Sequence, residues 1–174
     1  LGAEFWIGLP EELDARTADL HQGPISSDGP NLMERIAAEP EGVLAKAFGN
    51  PPLLLMSPNT RAWRAAELPA ANGHTTAPAL ARIYAALASG GELDGVRILR
   101  RETIERAREE ESYGPDRVLA LVSRIGLGFM LPPANEPLGP NPRTFGHGGA
   151  GGSLGLADPE AKLGFGYVMN LMHT

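Results

Sequence analysis

The residues best able to do chemistry lie in one short stretch, Thr144-Phe145-Gly146-His147-Gly148-Gly149-Ala150-Gly151-Gly152-Ser153. Six glycines fall between positions 146 and 155, with His147 among them. Glycine gives up packing and costs backbone entropy. A cluster of it beside strand-like apolar sequence marks a backbone that something approaches closely. The stretch therefore reads either as a flexible glycine loop or as a strand edge that points backbone N–H groups at a substrate. An imidazole in such an edge can hydrogen-bond a carbonyl or carboxylate, or tune a neighbouring base. Gly151-Gly152-Ser153-Leu154-Gly155 also matches the G-x-S-x-G nucleophile pattern. That elbow needs a strand before the serine, a helix after it, and an acid and a histidine further on. Residues 154–174 read as a hairpin instead, so Ser153 is expected to begin a strand.

Other chemistries are excluded more simply. His21, His74, His147 and His173 have neither metal-type spacing nor carboxylate companions, so no metal and no cofactor are expected. There is no cysteine, hence no disulfide and no thiolate nucleophile. This fits a reducing compartment, with the cytoplasm favoured. The net charge of −6, with 15 basic residues and no basic run, argues against a nucleic-acid partner. No apolar run approaches the roughly 18 residues of a membrane span. The length of 174 residues suits one domain with a sizeable core.

The elements that must position the glycine stretch are uneven along the chain. The first 70 residues alternate short pieces with proline punctuation. Phe5-Trp6-Ile7-Gly8-Leu9-Pro10 is extended, 11–20 holds a helical turn or two, and 22–30 is loop. Short helices are expected at 31–39, 42–48 and 61–68, the last anchored by Trp63, with breaks at 49–52 and a core-sized apolar run at 53–56. Pro69-Ala70-Ala71-Asn72-Gly73-His74 leads into the strongest helix. Thr75 or Thr76 caps it, Pro78 fits its first turn, and Leu80, Ile83, Tyr84 and Leu87 recur at helical spacing. Gly90-Gly91 ends it. After a turn and a short extended piece, 101–111 reads as a charged helix whose end is the solvated run Glu109-Glu110-Glu111. The period changes at Ile125. Residues 126–131, 144–147, 153–157 and 163–171 read as strands, with a proline loop at 132–142 and a turn at 158–162. The expectation is an α+β fold in a single partial domain. Residues 1–122 are mainly helix and loop, and 123–174 form an antiparallel sheet, one face of which packs on the helix of Leu80 and Leu87 or on a helix outside this sequence.

Phe145-Gly146-His147-Gly148-Gly149-Ala150-Gly151-Gly152-Ser153, with Asp158-Pro159 and Gly164-Phe165-Gly166-Tyr167-Val168-Met169-Asn170 behind it, resembles the third active-site strand of the serine β-lactamase superfamily. The esterase-like branch, family VIII carboxylesterases and class C β-lactamase-like hydrolases, is the closer match. There the K-T-G element is often H-x-G, and His147-Gly148-Gly149 fits that form. The segment from Pro69 to Thr76 and the opening from Leu1 to Pro10 resemble the same branch, so the likeness spans nearly the whole chain. It implies the penicillin-binding-protein-like transpeptidase fold and acyl transfer. The backbone N–H of Ala150 would be one oxyanion-hole donor, His147 would stand at the K-T-G lysine position, and Gly148, Gly149, Asn72 and His74 would contact substrate. The implied ligand is a small-molecule ester or β-lactam, with the ester favoured because His147 carries no guaranteed charge at neutral pH.

The resemblance also defines what is missing. Its nucleophile motif needs a serine three residues before a lysine, but Val43 precedes Lys46 and Pro159 precedes Lys162. No tyrosine is followed two places on by asparagine, and Ser57-Pro58-Asn59 reads as an accident of a proline loop. The expectation is the later part of a serine hydrolase, lacking its last helix and partnered by the missing N-terminal part of the same domain. On its own it would be inactive. The alternatives are a non-catalytic binding module or degenerate paralogue, and an unrelated α+β protein with a structural glycine loop.

Overall fold

A computed structural model describes residues 1–24, 32–49, 57–119, 121–133 and 137–173. Its helices are α1 (Leu32–Ala38), α2 (Val43–Gly49), α3 (Arg61–Ala65), α4 (Ala77–Ala88) and α5 (Arg101–Ala107). Its strands are β1 (Phe5–Trp6), β2 (His21–Gln22), β3 (His74–Thr75), β4 (Glu92–Leu93), β5 (Val96–Arg97) and β6 (Ser112–Pro115). They continue as β7 (Val122–Ile125), β8 (Phe145–Gly148), β9 (Leu154–Asp158), β10 (Leu163–Tyr167) and β11 (Leu171–Met172). The chain divides into two compact units. One comprises Leu1–Phe5, Thr75–Pro115 and Val122–Val168, the other Trp6–His74, Asp116–Leu121 and Met169–Thr174.

The first unit is a helix laid on an antiparallel sheet. The Thr76 hydroxyl accepts from the Ala79 amide at 3.3 Å and starts α4, with Pro78 in its first turn. Gly90 and Gly91, both at positive φ, turn the chain out after Ser89. The sheet runs β10-β9-β8, and Met130 extends it, bridging Gly146 on one side and Ile125 on the other. Through Met130 and the Leu131 amide, which bonds the Arg124 carbonyl at 2.8 Å, the hairpin β6–β7 joins the same sheet. Gly155, Ala157, Gly164 and Gly166 share one face by register, and that face receives α4. A Cβ on Gly164 would lie 2.1 Å from the Ala85 amide nitrogen and 2.3 Å from the Ala81 carbonyl oxygen. The helix thus rests on the sheet at backbone distance, which only glycine permits. Leu163, Phe165 and Tyr167 project from the opposite face and are exposed.

The core of this unit gathers Leu87, Ala88, Ile104, Leu131, Phe145 and Ala157, with Tyr84 and Phe129 against it. Phe145 is fully buried. Its ring meets Phe129 edge-on, centroids 4.9 Å apart, and the Arg108 guanidinium sits 5.7 Å from its centroid. Burying such a ring contributes about 3 kcal/mol, so β8 is anchored at its first residue.

The second unit is stapled by polar groups. Asn59 accepts from the Leu20 amide at 2.8 Å and donates to the Leu20 carbonyl at 2.9 Å. This bidentate pair is the structural use of the Ser57-Pro58-Asn59 sequence. Arg61 pairs with Asp14 and also donates to the Leu9 carbonyl, and Arg64 pairs with Asp19 at 2.7 Å. Trp63 is buried, and Thr60 caps α3. Strand β11 lies parallel to β2, Leu171 opposite His21.

Several expectations change. Residues 126–129 form a turn rather than a strand: the Gly126 amide bonds the Phe129 carbonyl and Gly128 sits at φ +79°, while Met130 bridges Gly146 and the Leu131 amide bonds the Arg124 carbonyl of β7. The helix at 101–111 ends at Ala107. The run Glu109-Glu110-Glu111 lies beyond it, where Glu109 and Glu111 pair with Arg106, Glu110 pairs with Arg124, and the Glu111 amide bonds the Ile125 carbonyl. Strand structure begins at Ser112, ahead of the change of period at Ile125. Helix α3 stops at Ala65 and strand β10 at Tyr167. Of the loop read at 22–30 the part from 25 on, the helix start at 31, the break at 49–52 from 50 on, the apolar run at 53–56 and the middle of the 132–142 loop lie outside the described residues.

Candidate active site

Strand β8 presents its two edges in alternation. Gly146 exchanges both backbone hydrogen bonds with Met130, at 2.7 and 3.1 Å. By the antiparallel pattern, Phe145 and His147 then bond to β9, opposite Ala157 and Gly155. The Gly149 amide continues that series, donating to the Ser153 carbonyl at 2.7 Å. Residues 146, 148 and 150 therefore face the other edge. Met130 covers Gly146 there, and its sulfur receives the Gly148 amide at 3.4 Å. The neighbouring chain then leaves. Among the described residues the Ala150 N–H has no hydrogen-bond partner, and Ala150 is exposed. An unpaired donor at the open end of a strand edge can receive a developing oxyanion.

Beyond β8 the chain makes one tight turn at Ala150–Gly152, with Gly151 at φ +81°. Gly149 is closely approached on this side: a Cβ there would lie 2.2 Å from the Ser153 hydroxyl oxygen, so a larger residue would turn the Ser153 side chain away. Ser153 directly precedes β9 and is followed by strand. The G-x-S-x-G match is thus a hairpin interlock, with no helix after its serine.

His147 is exposed, and its Nδ1 contacts the Gly148 carbonyl oxygen. Across the ladder, Gly155 is buried and carries no side chain. The Tyr84 ring from α4 fills that place, with Cε2 2.0 Å and Cζ 2.6 Å from where a Cβ would be. Burial pushes the Tyr84 phenol above its ordinary value. The sequence reading assigned Tyr84 only to the apolar stripe of its helix. The signal for more was Gly155, a glycine in mid-strand. Met130 was missed as the edge partner because 126–131 read as continuous strand.

Asn72 and His74 lie in the other unit. Asn72 is 3% exposed. Its amide donates to the Trp63 and Ala66 carbonyls at 2.8 and 2.6 Å, and its oxygen accepts from the Leu68 amide at 3.1 Å. Both of its N–H donors and one acceptor site of its oxygen are thus engaged by the loop backbone. The His74 Nδ1 is buried without a partner among the described residues. Desolvation lowers its pKa, and the charges of Arg64 and Arg61 add to that against the Asn72 backbone. Among the described residues no cluster of His, Asp and Glu could hold a metal ion. No described helix is long and apolar enough to cross a membrane.

The helix laid on an antiparallel sheet is shared with the serine β-lactamases and penicillin-binding proteins, and solved structures of that class superpose on this chain. A family VIII carboxylesterase is 39% identical with a TM-score of 0.75, covering 98% of this chain and 42% of its own. A penicillin-binding protein homologue from Caulobacter crescentus is 37% identical, TM-score 0.76, over 99% of this chain and 44% of its own. EstA from Arthrobacter nitroguajacolicus is 35% identical, TM-score 0.80, over 99% and 45%. Among curated proteins, the esterase/beta-lactamase LipL of Mycobacterium tuberculosis is 42% identical over 130 residues, 74% of this chain and 27% of that protein. The Beta-lactamase family model matches residues 1–174, and the chain belongs to that family. It spans less than half the length of these relatives.

Proposed function

We propose that this chain supplies the third active-site strand of a serine hydrolase that works through an acyl-enzyme. The N–H of Ala150, without a partner among the described residues, carries the reading. It lies at the end of β8, where the partner strand has left, on the edge that a carbonyl substrate can approach. In this role Ala150 provides one half of the oxyanion hole, worth about 2.7–4 kcal/mol of transition-state stabilisation. His147 faces the substrate beside it, and the backbone of Gly148 and Gly149 lines the edge. An ester fits better than a β-lactam, since no lysine stands at the His147 position to hold a carboxylate. The relatives support both halves of that choice, being named as carboxylesterase, esterase/beta-lactamase and penicillin-binding protein homologue.

A Ser-x-x-Lys pair does not occur in the 174 residues. The reading therefore takes the nucleophile and its base from sequence outside these residues, and holds that the 174-residue chain alone does not turn over. The same observation favours the second reading, a binding module that keeps the cleft without the chemistry. Assay of the complete protein against a chromogenic ester and a chromogenic cephalosporin separates them. Ester turnover with an acyl-enzyme burst supports the hydrolase, and no turnover of either substrate overturns it. A burst from the isolated chain would contradict the placement of the nucleophile.

A further inference from the structure

The face that His147 shares with Gly155 holds an arrangement that the hydrolase reading does not use. Residues directly opposite in an antiparallel pair have side chains about 4.5–5.5 Å apart at Cβ. Gly155 is the residue opposite His147, and the Tyr84 ring occupies its side-chain place. The imidazole therefore has an aromatic wall on its β9 side. The ring leans toward the open edge, because Nδ1 reaches the Gly148 carbonyl oxygen. By the alternation of β8, that carbonyl faces the open edge with the Gly148 amide. A carbonyl can only accept, so the Nδ1 in contact with it carries the ring proton.

We infer that Tyr84 is a positioning residue: its ring, seated on Gly155, turns the His147 imidazole to the open edge of β8 as the Nδ1–H tautomer. Nε2 is then the bare nitrogen offered along that edge. Neutral His147 accepts a hydrogen bond from a ligand and does not donate one. The group it recognises is a hydrogen-bond donor, such as the hydroxyl of an alcohol, rather than a carboxylate. The part of this that concerns substrate rests on the hydrolase reading above; the tautomer does not. The ring and not the hydroxyl does the positioning, since the Tyr84 hydroxyl makes no hydrogen bond among the described residues.

Imidazole nitrogen NMR shifts at alkaline pH report the tautomer directly. Wild-type protein and Tyr84→Phe should both carry the His147 proton on Nδ1. Tyr84→Leu vacates part of the Gly155 place and should raise the Nε2–H share about tenfold, the loss of one ordinary hydrogen bond. A wild-type ring protonated on Nε2 overturns the proposal without any variant, which covers a Leu variant that fails to fold. An unchanged tautomer ratio in folded Tyr84→Leu overturns it too. Turnover by the complete protein bearing His147→Ala is measured separately. Unchanged turnover removes the substrate role and leaves the tautomer result standing.

Discussion

Two short stretches that look alike in sequence are used in opposite ways. His147-Gly148-Gly149-Ala150 and Asn72-Gly73-His74-Thr75 each set a histidine among glycine and small or polar residues near a strand. In the first, the backbone N–H of Ala150 has no partner among the described residues and the histidine is exposed. In the second, three hydrogen bonds commit the Asn72 amide to backbone, and Nδ1 of His74 is buried. A free donor on an open edge is available to a ligand. A buried amide held by three backbone hydrogen bonds first serves the fold. Residue type nominates both stretches, and hydrogen-bond accounting separates them.

The largest effect that sharpens this contrast comes from the face behind the open edge. Gly164→Ala puts a methyl 2.1 Å from the backbone of α4, and the helix must move. Equilibrium denaturation should show a loss of about 3 kcal/mol. Next comes Asn72→Ala, which strands the Ala66 carbonyl and the Leu68 amide and leaves the Trp63 carbonyl with the Ala66 amide alone. Its cost should be about 2 kcal/mol, with no selective loss of ligand binding. A selective loss of binding at unchanged stability would return Asn72 to the site.

Acidification should act more gently, in two steps that thermal melts can follow. Burial holds the His74 imidazole below its ordinary 6.5, so the unfolded chain takes up the proton first. Its contribution is full above about 6.5 and declines as the pH falls toward the depressed folded value. Burial alone would raise the Asp158 carboxyl, but the Ala161 amide, the Asn141 side chain and the Glu160 amide outweigh it, and its pKa lies below the ordinary 3.8. That contribution is present above 3.8 and is lost as the pH falls through the lower folded value. The smallest effect belongs to His147→Ala. Its side chain is exposed, and stability should stay within about 0.5 kcal/mol. A larger loss would place His147 with Asn72 as a structural residue.

The sequence made some of this readable and hid the rest for physical reasons. Helix α4 was readable because its cap, its first-turn proline, its apolar spacing and its Gly-Gly stop agree. Strand β8 and the turn at Asp158 were readable from glycine and turn chemistry. The end of α5 was not, because Glu109-Glu110-Glu111 is good helix sequence claimed instead by Arg106 and Arg124. The turn at 126–129 was hidden because its alternating glycines and apolar residues mimic a strand. At the site, His147 and Ala150 stood out by motif. Tyr84 did not, since its place depends on a glycine 71 positions further on.

The central claim is that the Ala150 N–H receives the oxyanion, and Ala150→Pro in the complete protein tests it most directly. Proline deletes that one donor. Gly149, at φ −125° and ψ 167°, already has the extended backbone that a following proline demands. Position 150 opens a helical turn, where proline is tolerated. The variant should fold as the parent does and lose about 100- to 1000-fold in kcat for a chromogenic ester. A folded Ala150→Pro variant with undiminished kcat would contradict the account.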